Sequence, residues 1–169
     1  CAHFSFNTDT AGMYWRNYLA LLKSCPTTWA DLLEATVLQV LPRRRGNFRI
    51  HVAGDFFEQA YVDAWCEVAR RFPRAQFWTY TRAFHLDFSG RPTNVALYAS
   101  TDHDNAPQAF LFSAREGCKL AHMGLDVAET SPRPWFQCPG PGQLKKVDSC
   151  AACELCIYGR GRDVAFAKH

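Results

Sequence analysis

Four cysteines toward the C-terminus, Cys138, Cys150, Cys153 and Cys156, carry enough thiolate to hold a metal centre. The last three stand at Cys-x2-Cys-x2-Cys spacing, and the remote one is followed by Pro139. Cysteines spaced this way wrap one corner of a cubane cluster, and a distant Cys-Pro ligand closes the set, as in bacterial ferredoxins. Structural zinc more often takes two separate Cys-x2-Cys pairs. The spacing therefore favours an iron–sulfur cluster, of the 4Fe-4S type by that count of ligands, with zinc as the alternative and disulfides or unligated thiols as a third reading.

A second group of reactive side chains follows an apolar stretch. In Arg49-Ile50-His51-Val52-Ala53-Gly54-Asp55-Phe56-Phe57, period two puts Arg49, His51 and Ala53 on one side of a strand, while Gly54 allows a sharp turn or a close approach to a ligand. Asp55 could then grip a cation, amine or hydroxyl and His51 could move a proton, because polar groups inside an α/β layer are costly unless used. The structural alternative is a helix-capping Asp55 and a hydrogen-bonded core His51. Thr79-Tyr80-Thr81-Arg82 closes the next strand, where Arg82 would meet an anionic substrate or pair with Asp55. His51, Asp55 and Arg82 are thus the candidate catalytic residues. Ser100-Thr101-Asp102-His103-Asp104 has metal-ligand types but reads as a polar loop, since neighbours on an extended chain point apart. Cys25, Cys66 and Cys118 read as small buried hydrophobes. His85, His122 and His169 have no recognisable partner spacing.

These residues need elements to position them. Asn7 to Gly12 is turn-like, and Met13 to Leu22 has helical spacing. Pro26 opens a second helix, where Thr28 and Asp31 echo a capping box and Trp29, Leu32, Leu33, Val37, Val40 and Leu41 form an apolar face. Phe48 to Ala53 reads as a short buried strand, Glu58 to Phe72 as an amphipathic helix and Ala75 to Tyr80 as the next strand. That succession is a β-α-β unit with parallel strands and a right-handed crossover. Val95 to Ala99 and Ala109 to Ser113 read as further strands, and Asp163 to Ala167 as a last one. The fold class is α/β, on a mostly parallel sheet that is open or rolled into a partial barrel, with functional residues at the carboxyl ends of its strands.

The 169 residues are 48% apolar, enough for one globular domain with a real core and too much for a disordered chain. Residues 1–130 make up the α/β core with its N-terminal helices. Residues 131–169 turn to Pro, Gly and Cys, a cluster-binding segment that needs a metal for order and packs on the core. Nothing approaches the length of a membrane span, so the expectation is a soluble protein with no membrane partner. Eight cysteines beside an aliphatic and aromatic core fit a reducing cytoplasm better than a disulfide-dense secreted scaffold. The opening residue, Cys1, is not a methionine and is read as following upstream residues rather than as an N-terminal nucleophile. A net charge of +3, concentrated in Arg43-Arg44-Arg45, Arg70-Arg71, Lys145-Lys146 and Arg160-Gly161-Arg162, favours anionic partners only mildly. With five tryptophans it makes nucleic acid a conceivable partner.

The segment Arg49 to Phe57, Tyr61 and Trp65, Phe77-Trp78-Thr79-Tyr80-Thr81-Arg82, and the terminal Cys138-Pro139 with Cys150, Cys153, Cys156 and His169 together resemble a phage and plasmid family called gene-product-88-like. The resemblance covers most of the chain from Phe48 onward. It implies a cysteine-rich α/β protein, iron–sulfur binding and a setting near replication genes. The family also carries an upstream cysteine cluster ending in Cys-Tyr-Ala, of which Cys1-Ala2 matches only the end.

Three functions follow as expectations. The first is a cluster-binding protein whose cluster is structural or redox-active beside a crevice of His51, Asp55 and Arg82. The second is a nucleic-acid-binding module stabilised by zinc or a cluster. The third, by looser analogy to a strand ending in Gly54-Asp55, is a radical S-adenosylmethionine-like enzyme, which needs one iron left open. Ligation by Cys138 would close that position.

Overall fold

The computed structural model describes residues 8–139, 149–159 and 161–167. Cys1, Asn7, Lys145, Lys146, Arg160 and His169 lie outside these residues. Helix α1 spans Thr8–Lys23, so the chain is already helical where a turn was expected before Gly12. A 3-10 turn at Pro26–Thr28 leads into α2, Trp29–Val40. The expected capping box does not form, because the Thr28 hydroxyl donates instead to the Cys25 carbonyl at 2.8 Å. Trp29 joins the two helices by donating its indole N–H to the Leu21 carbonyl at 2.9 Å.

Strand β1 is Arg45–Arg49, earlier than the expected 48–53. Its register pairs Phe48 with Phe77 on β2, Arg74–Thr81, and leaves 50–58 as a loop that carries His51 and Asp55 beyond the strand. The polar start Arg45-Gly46-Asn47 hid the strand, since an edge strand need not be apolar. Gly46 is required there: at φ 121° it passes Leu41, which a Cβ would approach to 3.1 Å.

Helix α3, Gln59–Arg71, buries Tyr61, Val62, Trp65, Val68 and Ala69 on one face. Each large side chain so buried contributes about 1.5–3 kcal/mol. Strand β3, Val95–Thr101, follows a loop of residues 82–94 that contains no helix. That loop is held by Arg115, whose guanidinium donates to the Phe84 and Leu86 carbonyls, and by the buried Glu116, which accepts from the Phe88 N–H.

Residues Ala106–Glu116 form helix α4, not the strand expected at 109–113. Ala109, Phe112, Ser113 and Glu116 are buried at three- and four-residue intervals while Leu111 is exposed, and Gly117 ends the helix at φ 59°. The unbroken apolar run Ala109-Phe110-Leu111-Phe112 concealed that period. Strand β4, Lys119–Met123, helix α5, Leu125–Glu129, and strand β5, Trp135–Gln137, follow; these short elements were not foreseen. A single helical turn α6, Cys150–Cys153, precedes strand β6, Asp163–Phe166, close to the expected last strand.

The described strands form a six-stranded sheet in the order β1-β2-β3-β4-β6-β5, with every neighbouring pair parallel. Right-handed crossovers repeated in one direction keep their connections on one face. The packing agrees: α2, α3 and α4 bury Val37, Val62, Val68 and Phe112 against Phe77, Leu97, Ala99 and Leu120. The opposite face presents Trp78, Tyr80, Ala96, Tyr98, Ala121, Val164 and Phe166, and there the sheet meets Cys138 and Cys156.

Candidate functional site

The cysteine-rich segment sits on that opposite face. Ile157 is 2% exposed, the Tyr98 hydroxyl lies 3.4 Å from the Leu155 carbonyl, and Gly159 comes so close to β3 that a Cβ would stand 3.2 Å from that of Ala96. Its local shape follows from Ser149, whose hydroxyl caps α6 by accepting the Ala152 N–H. Glu154 then reverses the chain at φ 56° and returns its N–H to the Cys150 carbonyl at 2.8 Å. Cys150, Cys153 and Cys156 are thereby wound around one tight turn. The remote Cys138 enters from the end of β5, where its N–H donates to the Ala165 carbonyl at 2.7 Å.

Cys156 is the best defined of the four. Burial, with a smaller contribution from the nearby Cys138, Cys153 and Cys150, pushes the Cys156 thiol up to about 11 against the opposing effect of the Tyr80 hydroxyl. The other three thiols therefore lie within electrostatic reach of the Cys156 sulfur. None of the described cysteines forms a disulfide. Among the described residues no group of three or more His, Cys, Asp or Glu side chains is gathered so as to hold a metal ion. Cys150 is exposed, and Cys153 and Cys156 are half-buried. As donors, four thiols suit iron–sulfur or zinc, and a bound metal would deprotonate them.

The three crevice residues are near one another but differently engaged. Asp55 Oδ1 accepts the Thr81 hydroxyl at 2.6 Å and the Phe56 N–H at 2.8 Å, and its Oδ2 accepts the Arg82 N–H at 2.6 Å. Asp55 thus clasps the loop after β1 to the end of β2. The pairing with Arg82 runs through the backbone, because the guanidinium goes to Asp102 at 2.8 Å. His51 turns away from Arg49 toward the helices: its Nε2 is 3.2 Å from the Tyr61 hydroxyl, and its ring meets Phe56 edge-on at 4.6 Å. Its Nδ1 is buried and has no hydrogen-bond partner among the described residues, and burial lowers its pKa to about 4.

Around Asp102 the loop is closed upon itself. Asp102 Oδ1 accepts the N–H groups of Asp104 and Asn105, and His103 faces Asp126 at 2.9 Å. Cys66 and Cys118 are buried, with thiols pushed up by burial. Cys25 departs from expectation: it is exposed and accepts from the Thr27 hydroxyl at 3.1 Å, which lowers its thiol.

Reasoning from sequence missed two positions on the opposite face, Arg49 and Tyr80. The Arg49 guanidinium lies 5.1 Å above the Tyr80 ring. The alternation along Gln76-Phe77-Trp78-Thr79-Tyr80 shows which residues share a face but not what covers them. His122, for which the sequence offered no partner spacing, is 1% exposed, and neither ring nitrogen has a hydrogen-bond partner among the described residues.

These features define an α/β protein with a parallel sheet, helices on one face and a cysteine-rich segment on the other. The chain belongs to the Gene product 88 family, which it matches over residues 5–159. It is 39% identical over 131 residues to the "Gene 88 protein" of Mycobacterium phage L5, covering 71% of this chain and 54% of that protein. To the "Gene 88 protein" of Mycobacterium phage D29 it is 38% identical over 125 residues, covering 67% of this chain and 51% of that protein. The chain spans about half the length of these relatives. No solved structure matches it. Among the described residues no helix is long and apolar enough to cross a membrane.

Proposed function

We propose that the chain binds an iron–sulfur cluster, of the four-iron type, through Cys138, Cys150, Cys153 and Cys156. The observation that carries this reading is the half-buried Cys156, whose electrostatic neighbours are the other three cysteines of the ferredoxin-like spacing. When bound, such a cluster supplies a one-electron couple or a structural clamp. The protein's own part is to desolvate one ligand against Tyr80 and Tyr98 and to bring Cys138 in from β5. Ligation by all four cysteines makes the centre structural or electron-transferring. If Cys138 stayed off, an open iron would return the radical-enzyme reading, with Asp55 as the residue to test. Zinc on the same thiols is the competing centre.

The test is anaerobic purification with iron, sulfide and zinc quantified, and visible and paramagnetic resonance spectra recorded before and after reduction. About four irons and four sulfides per chain are expected. One zinc without sulfide, or no metal at all, refutes the cluster.

One observation favours a second reading, binding of nucleic acid. Arg45 and Arg74 are register neighbours on β1 and β2, both exposed, with Arg43 exposed nearby. Like charges placed side by side cost stability unless an anion offsets them. Affinity for DNA or RNA that falls steeply with salt, and falls again in Arg45→Ala with Arg74→Ala, would support it.

A further inference from the structure

We propose that the helix-free face of β1 and β2 is a platform for single-stranded nucleic acid, on which Trp78 stacks a base while Arg45, Arg49 and Arg74 hold the phosphates around it. The inference rests on the nucleic-acid reading above, and it adds the form of the ligand and the residue that recognises a base.

The register of the two strands builds the platform. Arg45 is paired with Arg74, Asn47 with Gln76, and Arg49 with Trp78. Partners on parallel strands share a face, and the intervening pair, Phe48 and Phe77, packs into the core beneath the helices, so these six side chains rise from the other face. Strand β1 is the edge of the sheet, and the cysteine-rich segment covers β3, where Gly159 lies against Ala96. Arg45, Arg49 and Arg74 are left exposed and Trp78 half-buried. None of the three guanidinium groups meets a carboxylate among the described residues. Arg49 donates to the His51 carbonyl at 2.7 Å and lies over the Tyr80 ring, whereas the Arg45 and Arg74 side chains have neither ion pair nor hydrogen bond there. Arg44 and Arg71, by contrast, are both taken up by Glu34. Trp78 is open in the same way: among the described residues no ring contacts it and its indole N–H has no hydrogen bond, while Phe77 is met by Phe72 and Tyr80 by Tyr98.

The chemistry of these groups decides the form of the ligand. Arginines neutralise phosphates of either a duplex or a single strand, but an indole stacks on a base only where that base has left its duplex. A sheet face presented flat also has no helix or ribbon to enter a groove. Along strands that rise about 3.3 Å per residue, the Arg45 and Arg74 row lies about 13 Å from the Arg49 and Trp78 row. A strand laid across the face therefore meets guanidinium groups at both ends, the indole beside one of them, and the amides of Asn47 and Gln76 between. These groups address phosphates and bases, which DNA and RNA share.

The experiment is fluorescence anisotropy at rising salt with a short labelled oligothymidine, an oligouridine of the same length and a DNA duplex of the same length. At least one single strand should bind about tenfold more tightly than the duplex, and whichever sugar it carries names the ligand. Trp78→Ala should weaken single-strand binding about tenfold at every salt concentration and leave the salt slope alone. Arg45→Ala and Arg74→Ala should each flatten the logarithmic salt slope by about 0.7. Arg70→Ala, on α3 and paired with Glu67, should stay within about twofold of the parent. Should Trp78→Ala fold poorly in urea titration, Trp78→Leu, which keeps apolar bulk without the ring system, carries the same expectation. A duplex bound as tightly as the single strands, a folded Trp78 variant with the parent's affinity, or an unchanged slope in both arginine variants overturns the platform and leaves the nucleic-acid reading standing. No salt-dependent binding of any of the three probes overturns both.

Discussion

Asp55→Ala separates a residue that grips a ligand from one that holds the fold. The carboxylate accepts three hydrogen bonds, from the Thr81 hydroxyl, the Phe56 N–H and the Arg82 N–H. Hydrogen bonds to a charged group contribute about 1.5–3 kcal/mol each, but a simple sum overstates the loss. Arg82 is exposed, so water can replace Asp55 at its N–H. Thr81 is buried but its oxygen still accepts the Ala83 N–H at 2.9 Å, so only its donor is orphaned. The lasting cost is therefore that of the Thr81 hydroxyl and the Phe56 N–H, about 2–4 kcal/mol in all. In urea unfolding this lowers the midpoint by about 1–2 M, given a slope of about 2 kcal/mol/M. A double-mutant cycle with Thr81→Val should give a coupling of about 1 kcal/mol or more. A loss below about 0.5 kcal/mol in Asp55→Ala would refute the clasp and return Asp55 to the list of residues held ready for a ligand.

Three further outcomes are expected. His51 has a folded pKa lowered to about 4 from the ordinary 6.5, so the unfolded chain binds the extra proton first. Stability is whole above pH 6.5 and falls as pH drops toward 4, by about 3 kcal/mol at most. His51→Phe should flatten that part of a pH-stability curve, and an unchanged slope would contradict the burial argument. Asn94 Nδ2 lies 2.9, 3.1 and 3.0 Å from the Ala69, Phe72 and Ala75 carbonyls, joining the end of α3 to β2. Asn94→Asp turns those contacts repulsive and should cost about 2–4 kcal/mol in chemical denaturation, whereas a neutral result would show the clamp to be dispensable. Cys153→Ala should lose the metal and speed proteolysis of the segment from Cys138 onward; full metal content and parent-like resistance would show that Cys153 is not a ligand.

Much of the architecture could be read from local pattern. In α3 the buried residues recur at helical spacing, and in β2 the buried Ala75, Phe77, Thr79 and Thr81 alternate with half-buried neighbours, so both elements announced themselves. Misreadings came where the pattern was silent. The α4 run was apolar on every side of its most hydrophobic turn, and β1 opened with polar residues that only its pairing with β2 makes a strand. Strand β5 has three residues and is recognisable only through its pairing with β6.

The cysteine spacing, the β-α-β succession and the change of composition near residue 131 are properties of the sequence itself, because they depend on residue types at short separations. Strand order is not, nor is the choice of face. The placement of β6 between β4 and β5 arises from pairing between distant segments, and it brings Phe166 to Tyr80. The same nonlocal packing separates His51, buried against Tyr61, from Arg49, which lies over Tyr80 although only two residues away. Period two predicted one shared side for these two residues. The chain leaves its strand at Arg49, and beyond that point the direction of a side chain is set by what packs around it.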